Sequence, residues 1–139
     1  MELESLNPQQ LGIVKEQLDE EVEGLTNSFA NLRHAVTKYK ASKIALENID
    51  QREILVPLTA SLYVPGRIIN PNQFMVEIGT GYYVEKTRAQ SSEFCTRKMN
   101  MLMENMDKIS KMINQKKRYL DLVQEIMRKK IQEFQASQR

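Results

Sequence analysis

Apolar residues recur every seven positions in the first third of the chain, and this repeat restricts the folds open to the sequence. It runs from Leu11 to Leu46, with further apolar residues in between. The steps alternate between four and three residues: Leu18, Val22, Leu25, Phe29, Leu32, Val36 and Tyr39. Such steps, sustained over about five heptads, are typical of a coiled-coil seam rather than of one face of a globular helix.

The last third of the chain has the same four-and-three spacing. Its positions are Cys95, Met99, Leu102, Met106, Ile109, Ile113, Lys116, Leu120, Val123, Met127, Lys130 and Phe134. The two lysines interrupt the apolar run, but their hydrocarbon stems can lie along the seam while the ammonium groups reach water. Two helices of similar length are predicted, over residues 7–50 and 88–136. Asn7 is a suitable N-cap for the first helix, and Gln10 can complete a capping box.

The two helices are expected to pair with each other as an antiparallel hairpin. Residues 1–50 contain 5 Lys or Arg and 9 Asp or Glu, whereas residues 88–139 contain 12 and 6, so the helices carry opposite charge. One register aligns apolar pairs along the whole seam, with Leu18 opposite Met127 and Leu25 opposite Leu120. The alternative is a parallel dimer in which each helix pairs with a copy of itself, but that arrangement would bring like charges together.

Residues 54–86, between the helices, have the composition of β-strands. Four short segments are rich in β-branched and aromatic residues, and prolines and glycines separate them: residues 54–58, 61–64, 74–78 and 82–85. They are predicted to form two hairpins. The fold class is therefore mainly α: one domain over residues 1–139, in which a long antiparallel coiled-coil helical hairpin carries a small two-hairpin, four-strand β insertion between the helices.

The β insertion is too small to bury its own apolar side chains, because isolated hairpins are marginally stable and open strand edges invite further pairing. It is therefore predicted to associate with matching strands of neighbouring subunits. The predicted subunit-assembly residues are Leu55, Val56, Leu58, Leu62, Tyr63, Val64, Ile68, Phe74, Val76, Ile78, Tyr82, Tyr83 and Val84.

Residue types argue against an enzyme. The chain has one histidine, His34, and one cysteine, Cys95, and no histidine lies near Cys95 in the sequence to activate it. No catalytic residue, metal ligand or cofactor is predicted. The apolar runs are too short to span a membrane. The basic last third lacks a base-reading region, so no nucleic-acid partner is expected.

Cysteine usage and the N-terminal sequence bear on location. A single cysteine rules out an internal disulfide and fits a reducing compartment. The acidic first residues lack the pattern of a signal peptide. A cytoplasmic location is expected, with a nuclear one also open.

Three segments resemble the alpha-class subunits of the prefoldin family: residues 53–66, residues 76–86 and the helix start at 6–11. The resemblance implies a heterohexamer of two alpha-class and four beta-class subunits, in which the β hairpins form the body. It implies an ATP-independent co-chaperone that captures unfolded or nascent proteins, notably actin and tubulin, and delivers them to the cytosolic group II chaperonin. The alternative is a structural coiled-coil scaffold or tether in another multiprotein complex.

The open ends of the two helices are the predicted client-binding site, because a coiled coil frays where its helices end. The predicted client-binding residues are Leu3, Leu6, Leu11, Ile13, Val14, Met127, Ile131 and Phe134. Flexible apolar side chains of this kind suit varied unfolded partners. The competing interpretation is that these residues close the seam, and for Leu11, Val14 and Met127 it has at least equal weight.

Overall fold

The computed structural model describes residues 2–139 and is mainly helical. A short 3₁₀ turn at Leu3–Ser5 precedes helix α1, which spans Pro8–Glu47, and helix α2 spans Arg88–Ser137. Four strands lie between the helices: β1 at Glu53–Thr59, β2 at Leu62–Arg67, β3 at Phe74–Gly79 and β4 at Tyr82–Lys86. The predicted fold class is confirmed. Within residues 2–139, no helix is long and apolar enough to cross a membrane.

The start of α1 is fixed by the predicted capping box. The Asn7 side-chain oxygen accepts the Gln10 backbone N–H at 2.8 Å, and the Asn7 N–H donates to Gln10 Oε1 at 3.0 Å. Two backbone donors that would otherwise lack partners are thereby satisfied. Pro8 follows at the first helical position, where a missing N–H has little cost.

The chain divides into two compact units, and the first comprises residues 2–34 with residues 103–139. In this unit α1 and α2 pack along the predicted seam. Leu11 and Val123 have no solvent exposure, and the other predicted apolar seam positions, apart from the last, are half-buried. Phe134 is the exception, because 62% of its surface is exposed. The faces of both helices in this unit are therefore those that the heptad spacing predicts.

The register of the first unit differs from the predicted one. The Lys116 ammonium forms an ion pair with the Glu21 carboxylate at 2.6 Å, whereas the predicted register would place residue 124 opposite Glu21. The helices are thus antiparallel and within one chain, but displaced by about two helical turns. The physical reason is that a seven-residue repeat presents a similar apolar seam after a slip of one heptad.

The second unit comprises Ala35–Leu102. Here the side chain of Arg88 bonds to the backbone on both sides of the first hairpin. Its Nη2 donates to the Ile49 carbonyl at 2.5 Å and to the Pro71 carbonyl at 2.8 Å. These bonds hold the first turn of α2 beside the end of α1. Helix packing continues at Leu46 and Cys95, which are buried.

The strands form two separate antiparallel hairpins, β1–β2 and β3–β4, as predicted. Val56 pairs with Val64 in the first hairpin, and Val76 pairs with Val84 in the second. The second turn has positive φ angles at three successive residues: Gly79 at 143°, Thr80 at 43° and Gly81 at 81°. Glycine tolerates this region without steric cost, which explains the glycines at positions 79 and 81.

We predict that Asn7→Ala will loosen the first turn of α1. Loss of an N-cap costs about 1 kcal/mol, so amide exchange at residues 9–11 is expected to be about fivefold faster. Hydrogen exchange followed by mass spectrometry measures this difference. Asn7→Asp, which keeps a capping oxygen, is the control and should exchange like the parent. Equal protection in the Ala variant would contradict the role of the cap.

Candidate functional site

The two β hairpins and the loop between them carry the densest set of exposed apolar side chains in the second unit. Tyr82 is 72% exposed, Leu55 is 67% exposed and Ile69 is 88% exposed. The set comprises Ile54, Leu55, Leu58, Leu62, Tyr63, Ile69, Met75, Ile78, Tyr82, Tyr83 and Val84. So many exposed apolar side chains in one short segment make it a candidate interaction site.

The first hairpin is apolar on both of its faces. Successive side chains of a strand alternate between the faces, so the register places Leu55, Pro57 and Tyr63 on one face. All three are exposed. Val56 and Val64 lie on the opposite face, where they are half-buried against each other. A hairpin with two apolar faces cannot shield both of them by itself.

The second hairpin has one face turned toward the helices. Phe74 and Val76 are half-buried, and they line a groove with Tyr39, Leu46 and Phe94 from the two helices. This face is where β3 approaches α1 and α2. Met75 and Glu77 of β3 also contribute to its lining, whereas no residue of β4 does.

The second face of that hairpin mixes apolar and charged residues. The register sets Met75 opposite Glu85, and Glu77 opposite Tyr83. Met75 and Tyr83 are both exposed. Apolar contact area is therefore available on this side too, flanked by carboxylates.

The strand edges add hydrogen-bonding capacity to this surface. Each sheet contains two strands, so within residues 2–139 every strand has one edge without a partner strand. Such an edge presents backbone N–H and C=O groups that can template another strand. The surface thus offers apolar contact area and backbone pairing together.

The predicted subunit-assembly residues fall into two groups in the structure. Eight are exposed: Leu55, Leu58, Leu62, Tyr63, Ile78, Tyr82, Tyr83 and Val84. Five are half-buried: Val56, Val64, Ile68, Phe74 and Val76. Sequence reasoning missed Ile54, Ile69 and Met75. Ile69 lies in the loop between hairpins, where no strand pattern marks it, whereas Ile54 and Met75 could have been found from their places in predicted strands.

The open ends of α1 and α2 in the first unit, called the arm end below, carry the predicted client-binding residues, which differ in their exposure to solvent. Ile13, Ile131 and Phe134 are exposed. Leu3, Leu6, Val14 and Met127 are half-buried, and Leu11 is fully buried. Leu11 therefore has the place of a seam residue, whereas the three exposed side chains are accessible to a partner.

A groove lies between the two helix ends of this unit. It has a volume of about 940 Å³ and is lined by Asn7, Pro8 and Gln9 of the first helix end. Across from them are Ile131 and Phe134 of α2. The groove is open to solvent, and its apolar wall comes mainly from α2. It can accept an apolar side chain of a partner.

Cys95 has the environment of a packing residue. It is buried in the second unit, and burial raises the pKa of its thiol, although the positive charge of Lys43 opposes the shift. A raised pKa keeps the thiol protonated and unreactive at neutral pH. Among residues 2–139, no three His, Cys, Asp or Glu side chains are grouped so that they could hold a metal ion.

Comparison with known proteins gives consistent matches. The prefoldin family, described as prefoldin subunit, matches residues 18–133. Prefoldin subunit 5 of Homo sapiens is 41% identical over 135 residues, which are 94% of this chain and 88% of that protein. Prefoldin subunit 5 of Arabidopsis thaliana is 37% identical over 98% of this chain and 93% of its own length. A chain of filamentous PFD from Methanocaldococcus jannaschii, solved by cryo-EM, matches with a TM-score of 0.47 and 18% identity over 84% of this chain and 95% of that chain.

The chain belongs to the prefoldin subunit family, since the family match and the alignments with relatives extend over most of its length. The resemblance to the prefoldin family is confirmed, and within that family the chain is similar to prefoldin subunit 5 of eukaryotes. The family is a non-enzymatic one, which fits the prediction that this chain is not an enzyme.

We predict that Leu55→Asp will prevent stable association through the β hairpins. Leu55 is exposed in the single chain, so the change should leave the chain folded. In an interface it would lose roughly 1.5–3 kcal/mol of apolar burial and would bury a carboxylate at further cost. Native mass spectrometry of the chain purified with its co-expressed partner subunits measures assembly.

Ile44→Asp is the matched control for this prediction. Ile44 is 51% exposed and lies on α1, in the same unit but outside the hairpins. The control variant should assemble like the parent chain. If both variants assemble normally, the hairpins are not the association surface.

Proposed function

We propose that this chain is a subunit of an ATP-independent co-chaperone of the prefoldin type, a heterohexamer of two alpha-class and four beta-class subunits. The observation that carries the proposal is the exposed apolar surface of two short hairpins in a chain of this family. Completion of the sheets by strands of neighbouring subunits would bury these side chains and satisfy the open strand edges. The two hairpins per chain support its place in the alpha class.

The arm ends are the proposed sites of client capture. Ile13, Ile131 and Phe134 are available there to contact the apolar side chains of an unfolded protein. Burial of one such side chain contributes roughly 1.5–3 kcal/mol to the binding free energy, so the helix ends of one subunit bind a client weakly. The helix ends of several subunits acting on the same client raise the avidity by orders of magnitude. Weak individual contacts also allow release without a nucleotide.

The proposed clients are unfolded or nascent proteins, among them actin and tubulin, which the complex delivers to the cytosolic group II chaperonin. A cytoplasmic location, with a nuclear pool, is part of the proposal. It is supported by the single buried cysteine, which needs no oxidising compartment. The similarity to prefoldin subunit 5 of Homo sapiens and Arabidopsis thaliana supports the co-chaperone role.

We predict that replacing the three exposed arm-end residues together (Ile13→Ser, Ile131→Ser and Phe134→Ser) will weaken client holding without preventing assembly. Loss of three apolar contacts should raise the concentration of complex needed to halve the aggregation of chemically unfolded actin by at least about tenfold. Light scattering during dilution from denaturant measures this concentration. Native mass spectrometry checks that the hexamer is intact.

The control for this experiment is a second triple variant on the exposed face of α2. Met101, Met112 and Leu122 are exposed to a similar degree but lie away from the arm end. Changing all three to Ser should leave client holding near that of the parent complex. Equal loss in both variants would indicate general stickiness rather than capture at the arm ends. A hexamer that never suppressed aggregation would favour a scaffold role.

A further inference from the structure

Lys130 occupies a seam position of α2, where the heptad spacing favours an apolar residue. Its ammonium group nevertheless has hydrogen-bond partners within the unit. Its Nζ donates a hydrogen bond to the Glu4 carbonyl at 2.6 Å and a second one to the Leu6 carbonyl. Both acceptors belong to the segment that precedes α1. The lysine side chain is half-buried. A charged donor in such surroundings makes stronger hydrogen bonds than a neutral one.

The segment that Lys130 holds has little other structure. The 3₁₀ turn at Leu3–Ser5 is closed by two backbone hydrogen bonds, Ser5 N–H to the Glu2 carbonyl at 3.1 Å and Leu6 N–H to the Leu3 carbonyl at 3.3 Å. A 3₁₀ turn of this length has weak internal stability. Its position therefore depends strongly on contacts with the rest of the unit.

The held segment also carries two apolar side chains that are partly withdrawn from solvent. Leu3 and Leu6 are half-buried, although they lie outside α1. Leu11, in the first turn of α1, is fully buried. Asn7, which directly follows this segment, lines the groove with Ile131 and Phe134, and Lys130 itself is one of the lining residues. Release of the segment would free two leucines and widen the apolar surface at the arm end.

We propose that Lys130 is a positioning residue for the client site: it latches residues 3–6 onto α2 and thereby limits how much apolar surface the arm end presents. The inference rests on the proposed function, because the surface that it controls is the proposed site of client capture. The ligand class is an unfolded polypeptide segment with apolar side chains. When residues 3–6 are detached from Lys130, the arm end would bind such segments more tightly. When they are held by Lys130, the bound segments would dissociate more readily.

The test uses Lys130→Met in the assembled complex, since Met keeps an unbranched apolar stem in the seam but donates no hydrogen bond. Hydrogen exchange of residues 3–6 is expected to be at least about tenfold faster than in the parent. The same variant should halve the aggregation of unfolded actin at a severalfold lower concentration. Lys130→Arg, which keeps a charged donor, should restore both properties toward the parent.

Lys129→Met is the matched control. Lys129 is the neighbouring exposed lysine, and its ammonium lies 3.6 Å from the Glu125 carboxylate on the same helix. The Lys129→Met substitution removes the same charge but leaves the hydrogen bonds to residues 3–6 in place. Hydrogen exchange of that segment and the holding of unfolded actin should therefore stay at parent values. Equal exchange at residues 3–6 in the two Met variants would refute the fastening of the segment by Lys130. Faster exchange in Lys130→Met with unchanged client holding would refute its control of the client site. A parent complex that holds no client would refute the proposed function, while the exchange comparison would still decide whether Lys130 fastens the segment.

Discussion

The apolar side chains of the two hairpins cannot all be buried within one chain. The need for partner strands, on which the proposed assembly depends, follows from this constraint. β1–β2 is apolar on both faces, and β3–β4 can turn one face toward the helices. The remaining faces and the open strand edges need partners. Arg88 keeps the start of α2, the end of α1 and the loop before β3 together, so the hairpins are anchored to the helices even though their outer surfaces are unsatisfied.

The two lysines in the α2 seam have a common role in the first unit. Lys116 reaches the Glu21 carboxylate, and Lys130 reaches carbonyls of the segment before α1. Apolar seam residues tolerate a slip of one heptad, whereas these polar contacts are lost if either helix slides. A polar group at a seam position specifies register at some cost in stability. The interruptions of the apolar run therefore help to define the alignment that the run itself leaves open.

Much of the fold could be predicted from local patterns. The capping box of Asn7 and Gln10, the buried faces of both helices and the Gly-Thr-Gly turn each depend on neighbouring residues, so the sequence reveals them. The register of the first unit could not be predicted in this way, because it depends on the distant Glu21–Lys116 pair. For the candidate sites, the strand pattern located most of the exposed hairpin residues but not Ile69, which lies in a loop. The accessibility of Phe134 required knowledge of how the helix ends meet, whereas the seam interpretation already included Leu11.

The unpaired strand edges have a consequence for how the chain must be supplied. A subunit made in excess of its partners would resemble an unfolded protein, because it exposes the kind of apolar surface that chaperones and proteases recognise. We therefore expect the chain to be made in amounts that match its partner subunits, and unassembled copies to be degraded rapidly. The hairpins that permit assembly would thus make the cellular level of this chain depend on the levels of its partner subunits.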